Sequence, residues 1–381
     1  MRAVRVLASA RDPGGAAQMR ALCRALRGDP RLAVTVAASG PAFDLLDGDG
    51  LGPLRFALPD GSTHVPAGSD PSKLLDGAGA LIERVDPDVL LVSISSLGVG
   101  LDEALLARAG GRPSFALQDF PGDANAVGGA YAGTYFVRDE AAGRLTRERF
   151  GLATVAVGSL RHAAYAALDV GRLRASVRAR IGAAPEQPVL GFFAQPPEIP
   201  GHEAAFAHLA ETLARSPAPP IVLLREHPKY PDHRARRAAA LREVGVTVHD
   251  ATGGEAEPWL AACDVVVTCF SHCSMDYAFL SARSEEPLGS VLFLLTTDEI
   301  RRFMREYAGV CLPDGVAAGL GSVAERAADV EPLLARALSA DERERYHAAS
   351  RRLPREARVD LIAAALVEAG THRPGRPGAS R

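Results

Sequence analysis

The sequence predicts a two-domain α/β protein in which each half is a parallel, doubly wound, Rossmann-like sheet and the two face across a cleft. Three observations predict it. The chain has 381 residues, more than one ordinary core organises. Short apolar runs alternate with amphipathic helical stretches, the rhythm of a parallel sheet with helices on its faces. That rhythm stops at a polar turn, Ala184-Pro185-Glu186-Gln187-Pro188, and restarts at Val189.

In the first half, strands are expected at Val4–Ser9, Leu32–Ala38 and Val89–Ile94, each an apolar, β-branched run of strand length. Helices follow at Gly15–Leu26 and Gly100–Ala109, where apolar residues recur at helical spacing. Further strands fit Pro113–Leu117, Gly133–Val137 and Thr154–Val157. This domain spans residues 1–166, the acceptor side in the functional reading below. A helical connector, Val170–Ile181, opens the second domain, residues 167–352. Its strands are expected at Val189–Phe193, Ile221–Leu224, Val246–His249 and Val265–Thr268, with helices at Glu203–Ala214, Arg234–Val244 and Pro258–Ala262. We count five parallel units there. Glu356–Glu368 is amphipathic, within a C-terminal helical segment, 353–369, able to cross back to the first domain. The Pro/Gly/Arg-rich tail at 370–381 is expected to be disordered.

Composition narrows the function classes. The chain is 47% hydrophobic and 23% charged with a net charge of −3, so it is globular and carries no basic excess for nucleic acid or anionic lipid. Met1-Arg2-Ala3-Val4-Arg5-Val6-Leu7 reads as a strand rather than a signal peptide. No stretch of about 18 apolar residues is present, so no spanning helix is expected, the location is expected to be cytoplasmic and any membrane contact peripheral. Cys23, Cys263, Cys269, Cys273 and Cys311 lack paired spacing and read as reduced thiols, with no metal centre.

The densest chemistry lies in the second half. Val265–Thr268 ends in Cys269-Phe270-Ser271-His272-Cys273-Ser274-Met275-Asp276-Tyr277, a strand running into a helix start. Free backbone N–H groups and the helix dipole there favour a phosphate, although a serine at such a place also serves as a plain N-cap. Ile221–Leu224 delivers Arg225, Glu226, His227 and Lys229 to its carboxyl end, with Pro228 fixing the chain direction. His227 can donate to a phosphoryl oxygen or assist a leaving group. Gln195 follows the first strand of this domain and either reads a base or hydroxyl through its amide or closes the turn.

In the first half, Ser9-Ala10-Arg11-Asp12-Pro13-Gly14-Gly15 follows the first strand; Gly14 and Gly15 allow close backbone approach, but the pattern is neither a dinucleotide fingerprint nor a Walker loop. Gln118-Asp119-Phe120-Pro121-Gly122-Asp123 places two carboxylates after another strand. Asp119 or Asp123 is the base for an acceptor hydroxyl, Asp119 preferred as nearer the strand end and Asp123 equally explained by an Asx turn on the acceptor side; Asp12 is a further catalytic candidate. Arg161 and His162 are weaker phosphate contacts. Ser93, Ser95 and Ser96 form a small-polar strand end, without a nucleophile-elbow motif for a hydrolase.

With these motifs laid out, the segment 186–300 resembles GT-B transferases of the group containing CDP-glycerol glycerophosphotransferases, bacterial polysialyltransferases and capsule Kdo transferases. Gln195-Pro196 and His227-Pro228 look like the QP and HP motifs of the Kdo transferases, and Ser271–Tyr277 like the serine-rich stretch of the glycerophosphotransferases. The resemblance implies a GT-B fold and donor-phosphate roles for His227, Ser271 and Ser274, with Gln195, Arg225, Glu226, Lys229 and His272 around them. The first half lacks the acidic D/E-D/E-G motif of the sialyltransferases.

The expected function is therefore metal-independent glycosyl transfer, of the kind used in polysaccharide or natural-product glycosylation. A sugar or sugar-like group would move from a nucleotide-activated donor, CMP- or CDP-linked in preference to UDP-linked, to a hydroxyl acceptor. The nucleotide donor is a substrate and no cofactor is expected. The alternatives are a non-hydrolysing sugar-nucleotide epimerase, an inactive nucleotide-binding protein of the same fold, and glycerophosphotransferase-type polymer transfer. No motif sets an oligomeric state.

Overall fold

A computed structural model describes residues 2–58, 61–66, 69–94, 98–227, 230 and 233–371. The chain forms two compact units, Met1–Ala164 with Pro354–Arg381, and Tyr165–Leu353. Of the tail expected to be disordered, 370–381, Gly370 and Thr371 are instead helical, and residues 372–381 lie outside the described residues, as do Ser95, Ser96, Pro228 and Lys229.

In the first unit the strands are β1 (Val4–Ala10), β2 (Leu32–Ala38), β3 (Leu54–Arg55), β4 (His64–Val65), β5 (Val89–Ile94), β6 (Val99–Gly100), β7 (Ser114–Gln118), β8 (Thr134–Val137) and β9 (Thr154–Ala156). Seven of them make a sheet in the order β3-β2-β1-β5-β7-β8-β9, with every pairing parallel. β4 and β6 pair antiparallel as a separate ribbon. Because side chains alternate across a strand, Val4, Val6 and Ala8 pack with Met19, Leu22, Ile362 and Leu366 on one face. Leu7, Leu90 and Val92 pack with Leu74, Leu81 and Leu105 on the other. The helix Val359–Thr371 thus belongs to this sheet. It starts later than the expected Glu356: Arg358 N–H is taken by the Val157 carbonyl at 2.6 Å, just past β9, instead of by a helical partner.

The second unit contains β10 (Val189–Phe193), β11 (Ile221–Arg225), β12 (Val248–Asp250), β13 (Val265–Thr268), β14 (Ser290–Leu294) and β15 (Ser322–Ala324). They form one sheet in the order β12-β11-β10-β13-β14-β15, again all parallel. Four of these strands match the four named from the sequence within its five units; β14 and β15 are additional. β15 is only three residues long, too short for alternation to register. Val189, Phe193, Ile221, Leu223 and Phe293 meet Leu260, Tyr277 and Tyr346 on one face. Leu190, Phe192, Val222, Leu224 and Val267 meet Phe206, Leu209, Leu241 and Ile300 on the other. Asp264, buried at the start of β13, accepts from Val189 N–H at 2.7 Å, from Arg174 at 2.6 Å and from Arg178 at 2.9 Å. Those bonds fasten the connector helix Val170–Arg180 to the second sheet.

Candidate functional site

In an open parallel sheet the loops leave a crevice at the carboxyl ends of the strands, where the strand order reverses. In the second unit that point lies between β10 and β13, and the loops after both carry predicted residues. With its amide oxygen turned to the N–H donors beside it, the assignment its hydrogen-bond network dictates, Gln195 accepts from Ser271 N–H (2.5 Å) and Phe270 N–H (3.2 Å). Its role is to brace the two loops together. Thr268 Oγ1 adds a second brace, donating to the Phe193 carbonyl at 2.8 Å.

Ser271 stands directly before His272, the N-cap of the helix that follows, and closes a serine turn onto it: its Oγ accepts from Cys273 N–H at 3.3 Å. That use of the oxygen lone pair leaves the hydroxyl hydrogen able to donate to an anion. The expectation of open N–H donors along this turn needs correction. Ser274 N–H donates to the Ser271 carbonyl at 3.1 Å, and Met275 and Asp276 N–H donate to the His272 carbonyl at 2.8 and 3.1 Å. Ser274, buried, turns its hydroxyl to the Ser271 carbonyl at 2.8 Å. It therefore shapes the turn, and among the two serines Ser271 is the one placed to meet a ligand. His272 lies half-buried in the same first turn.

After β11 the predicted cluster separates into different roles. The Arg225 guanidinium donates to the carbonyls of Ala251 (2.5 Å), Gly253 (2.8 Å) and Gly254 (2.6 Å), so it clamps the loop after β12 and is not aimed at a ligand. Glu226 is buried against Arg237; burial raises its pKa against the pull of that cation. It too is structural. His227 is half-buried, its ring 5.8 Å from that of Tyr230, and Tyr230 Oη donates to Glu198, linking the loops after β11 and β10. β10 alone separates β11 from β13, which sets the strand ends carrying His227 and Ser271 about 10 Å apart.

In the first unit the reversal lies between β1 and β5. Arg11, directly after β1, is buried and reaches Glu103 at 3.2 Å, Asp12 at 3.4 Å, Asp102 at 3.9 Å and the Gly98 carbonyl at 3.1 Å. Burial opposes its charge, but Glu103, Asp12 and Asp102 outweigh that and raise its pKa. Ser9 Oγ donates to Asp102, and Gly100 N–H donates to Glu103 at 2.7 Å. Three carboxylates around one guanidinium are not all neutralised by it. Burial first and the Glu103 charge second push Asp102 up, as they push the neighbouring Asp123 up to about 7. A neutral acid beside ionised ones can both give and take a proton near neutrality.

Of the predicted acids, Asp12 is buried in this cluster, Asp123 is buried beside it, and Asp119 is half-buried at the end of β7. Gln18 Nε2 approaches Asp119 Oδ1 at 3.5 Å and donates to the Gln118 carbonyl at 3.0 Å. Gly14 stands directly under the Asp119 carboxylate, and Gly15 is buried in the first turn of the helix Pro13–Ala25. Gln118 shapes the loop, donating to the Asp123 carbonyl and Thr146 Oγ1 at 2.9 Å each. His162 is buried with Nδ1 2.7 Å from Ser159 Oγ, and Ser93 is buried. Sequence reasoning missed Arg11, Asp102, Glu103, His202 and Arg237. Only Arg11, at a strand end, carried a local signal.

Among the described residues no group of three or more His, Cys, Asp or Glu side chains is arranged to hold a metal ion, and no helix is long and apolar enough to cross a membrane. No protein-family model and no curated protein matches the chain. Solved structures do. Staphylococcus aureus MnaA, solved with UDP, matches with a TM-score of 0.69 at 14% identity over 98% of this chain and 100% of that one. The UDP-GlcNAc 2-epimerase of Neisseria meningitidis, bound to UDP-GlcNAc, matches at 0.68 and 12% over 96% and 100%. A glycosyltransferase of Rickettsia africae matches at 0.62 and 10% over 98% and 100%. The chain has the GT-B fold, two Rossmann-like units in one polypeptide.

Proposed function

We propose that the protein is a sugar-nucleotide enzyme that binds its donor at the carboxyl edge of the second sheet and transfers a glycosyl group to a hydroxyl acceptor. The observation that carries this reading is Ser271: it stands at the strand-order reversal, directly before the N-cap of an 11-residue helix, with a hydroxyl hydrogen available to a phosphate. His227, from the strand end two positions across, is the cationic or proton-donating partner of that phosphate. Helix dipole and hydrogen-bond donors offset the phosphate charge, so no metal is invoked.

The acidic group around Arg11 is the proton-handling candidate, with Asp119 the acceptor base. The similar structures from Staphylococcus aureus and Neisseria meningitidis hold UDP and UDP-GlcNAc, which moves our preferred donor from a cytidine to a uridine diphosphate. The Kdo, polysialyl and glycerophosphate group remains the source of the QP and HP comparison only.

The likeness to the Neisseria meningitidis epimerase supports a second reading, epimerisation of a sugar nucleotide without an acceptor. Incubation with UDP-sugars alone separates the two: the transferase reading expects no new sugar nucleotide, the epimerase reading expects one. Thermal shift with UDP, CDP, CMP and GDP tests donor binding. A response to none of them, or a response to UDP unchanged in Ser271→Ala and His227→Ala, ends the donor-site assignment.

A further inference from the structure

Behind the Gln195 brace lies a second tier of buried polar groups. Gln195 N–H donates to His202 Nε2 at 3.2 Å, while the other ring nitrogen, Nδ1, faces Arg237 Nη2 at 3.4 Å. Arg237 is paired with Glu226 and, at 2.5 Å, with Glu203. These groups are withdrawn from water: Gln195 is 6% exposed, His202 1% and Arg237 2%. The His202 ring is parallel to Phe192 at 6.1 Å, and the residue before it, Gly201, has φ 77°. A Cβ on Gly201 would lie 2.1 Å from Thr297 Oγ1, so the loop is also seated on the N-cap of the helix Asp298–Phe303.

To accept from Gln195, Nε2 must carry a lone pair, which places the ring proton on Nδ1. With that tautomer the Arg237 approach is a cation set against a neutral ring rather than a donated bond. Burial first, and the Arg237 charge second, bring the His202 pKa down to about 4, so the ring keeps its acceptor near neutrality. Packing alone asks for no such arrangement, since a buried ion pair is costly to desolvate and an apolar side chain fills the same volume. Charges are buried here directly behind the turn that Gln195 holds.

We propose that His202 is a positioning residue: held by burial against Phe192, it fixes the Phe270–Ser271 turn in its donor-binding conformation through Gln195. The ligand half of this proposal rests on the donor-site reading above; the turn half does not.

The test uses the full chain, amide hydrogen exchange over residues 268–276, and UDP as the probe ligand. His202→Leu keeps bulk and removes the acceptor; His202→Gln returns an amide oxygen near the Nε2 position. Loss of the brace should speed exchange at Phe270 and Ser271 and weaken UDP binding, each about ten-fold, while β10 and β13 exchange as in the wild type. His202→Gln should recover most of both. The His202→Leu/Gln195→Ala double variant should be no worse than the worse single, as members of one chain of contacts are.

Unchanged exchange at Phe270 and Ser271 in His202→Leu, or effects of the two substitutions that multiply, overturns the proposal. If His202→Leu does not fold, His202→Asn, whose shorter amide does not reach the Gln195 N–H, takes its place with the same two outcomes. If Ser271→Ala leaves UDP binding at the wild-type level and UDP does not slow exchange in 268–276, the donor-site reading and the ligand half of the proposal fall. The exchange of His202→Leu without ligand then decides the turn half.

Discussion

Asp119 rests a carboxylate oxygen over the Cα of Gly14, so close that a Cβ there would stand 2.1 Å from it. The loop after β7 and the first turn of the helix after β1 are shaped for one another at this point. Gly14→Ala must push the carboxylate aside, which a side-chain tip does at little cost, while alanine favours the helix. Stability should stay within about 1 kcal/mol of wild type. If Asp119 is the acceptor base, transfer should fall about ten-fold or more. Melting temperature and initial rate measured together check this; an unchanged rate with a displaced Asp119 removes it from the mechanism.

Arg225 and His227 lie two residues apart and should respond to substitution in opposite ways. Arg225→Lys cannot span three carbonyls with one ammonium and should cost about 2–4 kcal/mol in urea unfolding. The folded fraction should bind UDP as before. His227→Ala should leave unfolding nearly unchanged and weaken UDP. The reverse pattern in calorimetry and denaturation would exchange the roles assigned to the two residues.

Asp123 has a sign that pH can read. Burial, then the Glu103 charge, lifts its folded pKa to about 7, against about 3.9 for an unfolded aspartate. Between those values the folded form keeps a proton that the unfolded chain releases. This contribution is therefore full below about pH 4 and is lost as pH rises through 7, at up to about 1.4 kcal/mol per pH unit. Asp123→Asn lacks the titration, so its stability should gain on the wild type across that window. Parallel stability curves from urea unfolding between pH 4 and 8 would show that Asp123 ionises normally.

Leu366 is fully buried in the cluster that includes Val4 and Val6. Leu366→Ala should destabilise the first unit by about 2–5 kcal/mol and leave the second unit's own core intact. Calorimetry should show one transition moving down and the other staying. A common shift of both would mean that the units unfold as one.

The βα rhythm was readable because strands such as Val265–Thr268 and helices such as Pro13–Ala25 carry their pattern within a few residues. Ser271 and Gln195 were readable for the same reason, each standing at a strand end. Arg225 misled because charge at a strand end looks ligand-facing. Period-two alternation places it on the face of Ile221 and Leu223, the face that buries Leu260 and Ala251. His202 and Arg237 are separated by 35 residues in sequence and Arg11 and Glu103 by 92. Neither pairing has a local pattern, because partners from different loops and helices meet only once the sheets have formed.

The first unit takes its residues from both ends of the chain, up to 164 and again from 354, with the whole second unit between them. During synthesis from the N-terminus, β1 therefore waits, with Val4 and Val6 covered by Met19 and Leu22 alone, until Ile362 and Leu366 leave the ribosome. The second unit, contiguous in sequence, is complete before then. The order of maturation is the reverse of the order of translation, and the first unit is the half in greater need of protection from aggregation while the chain is being made.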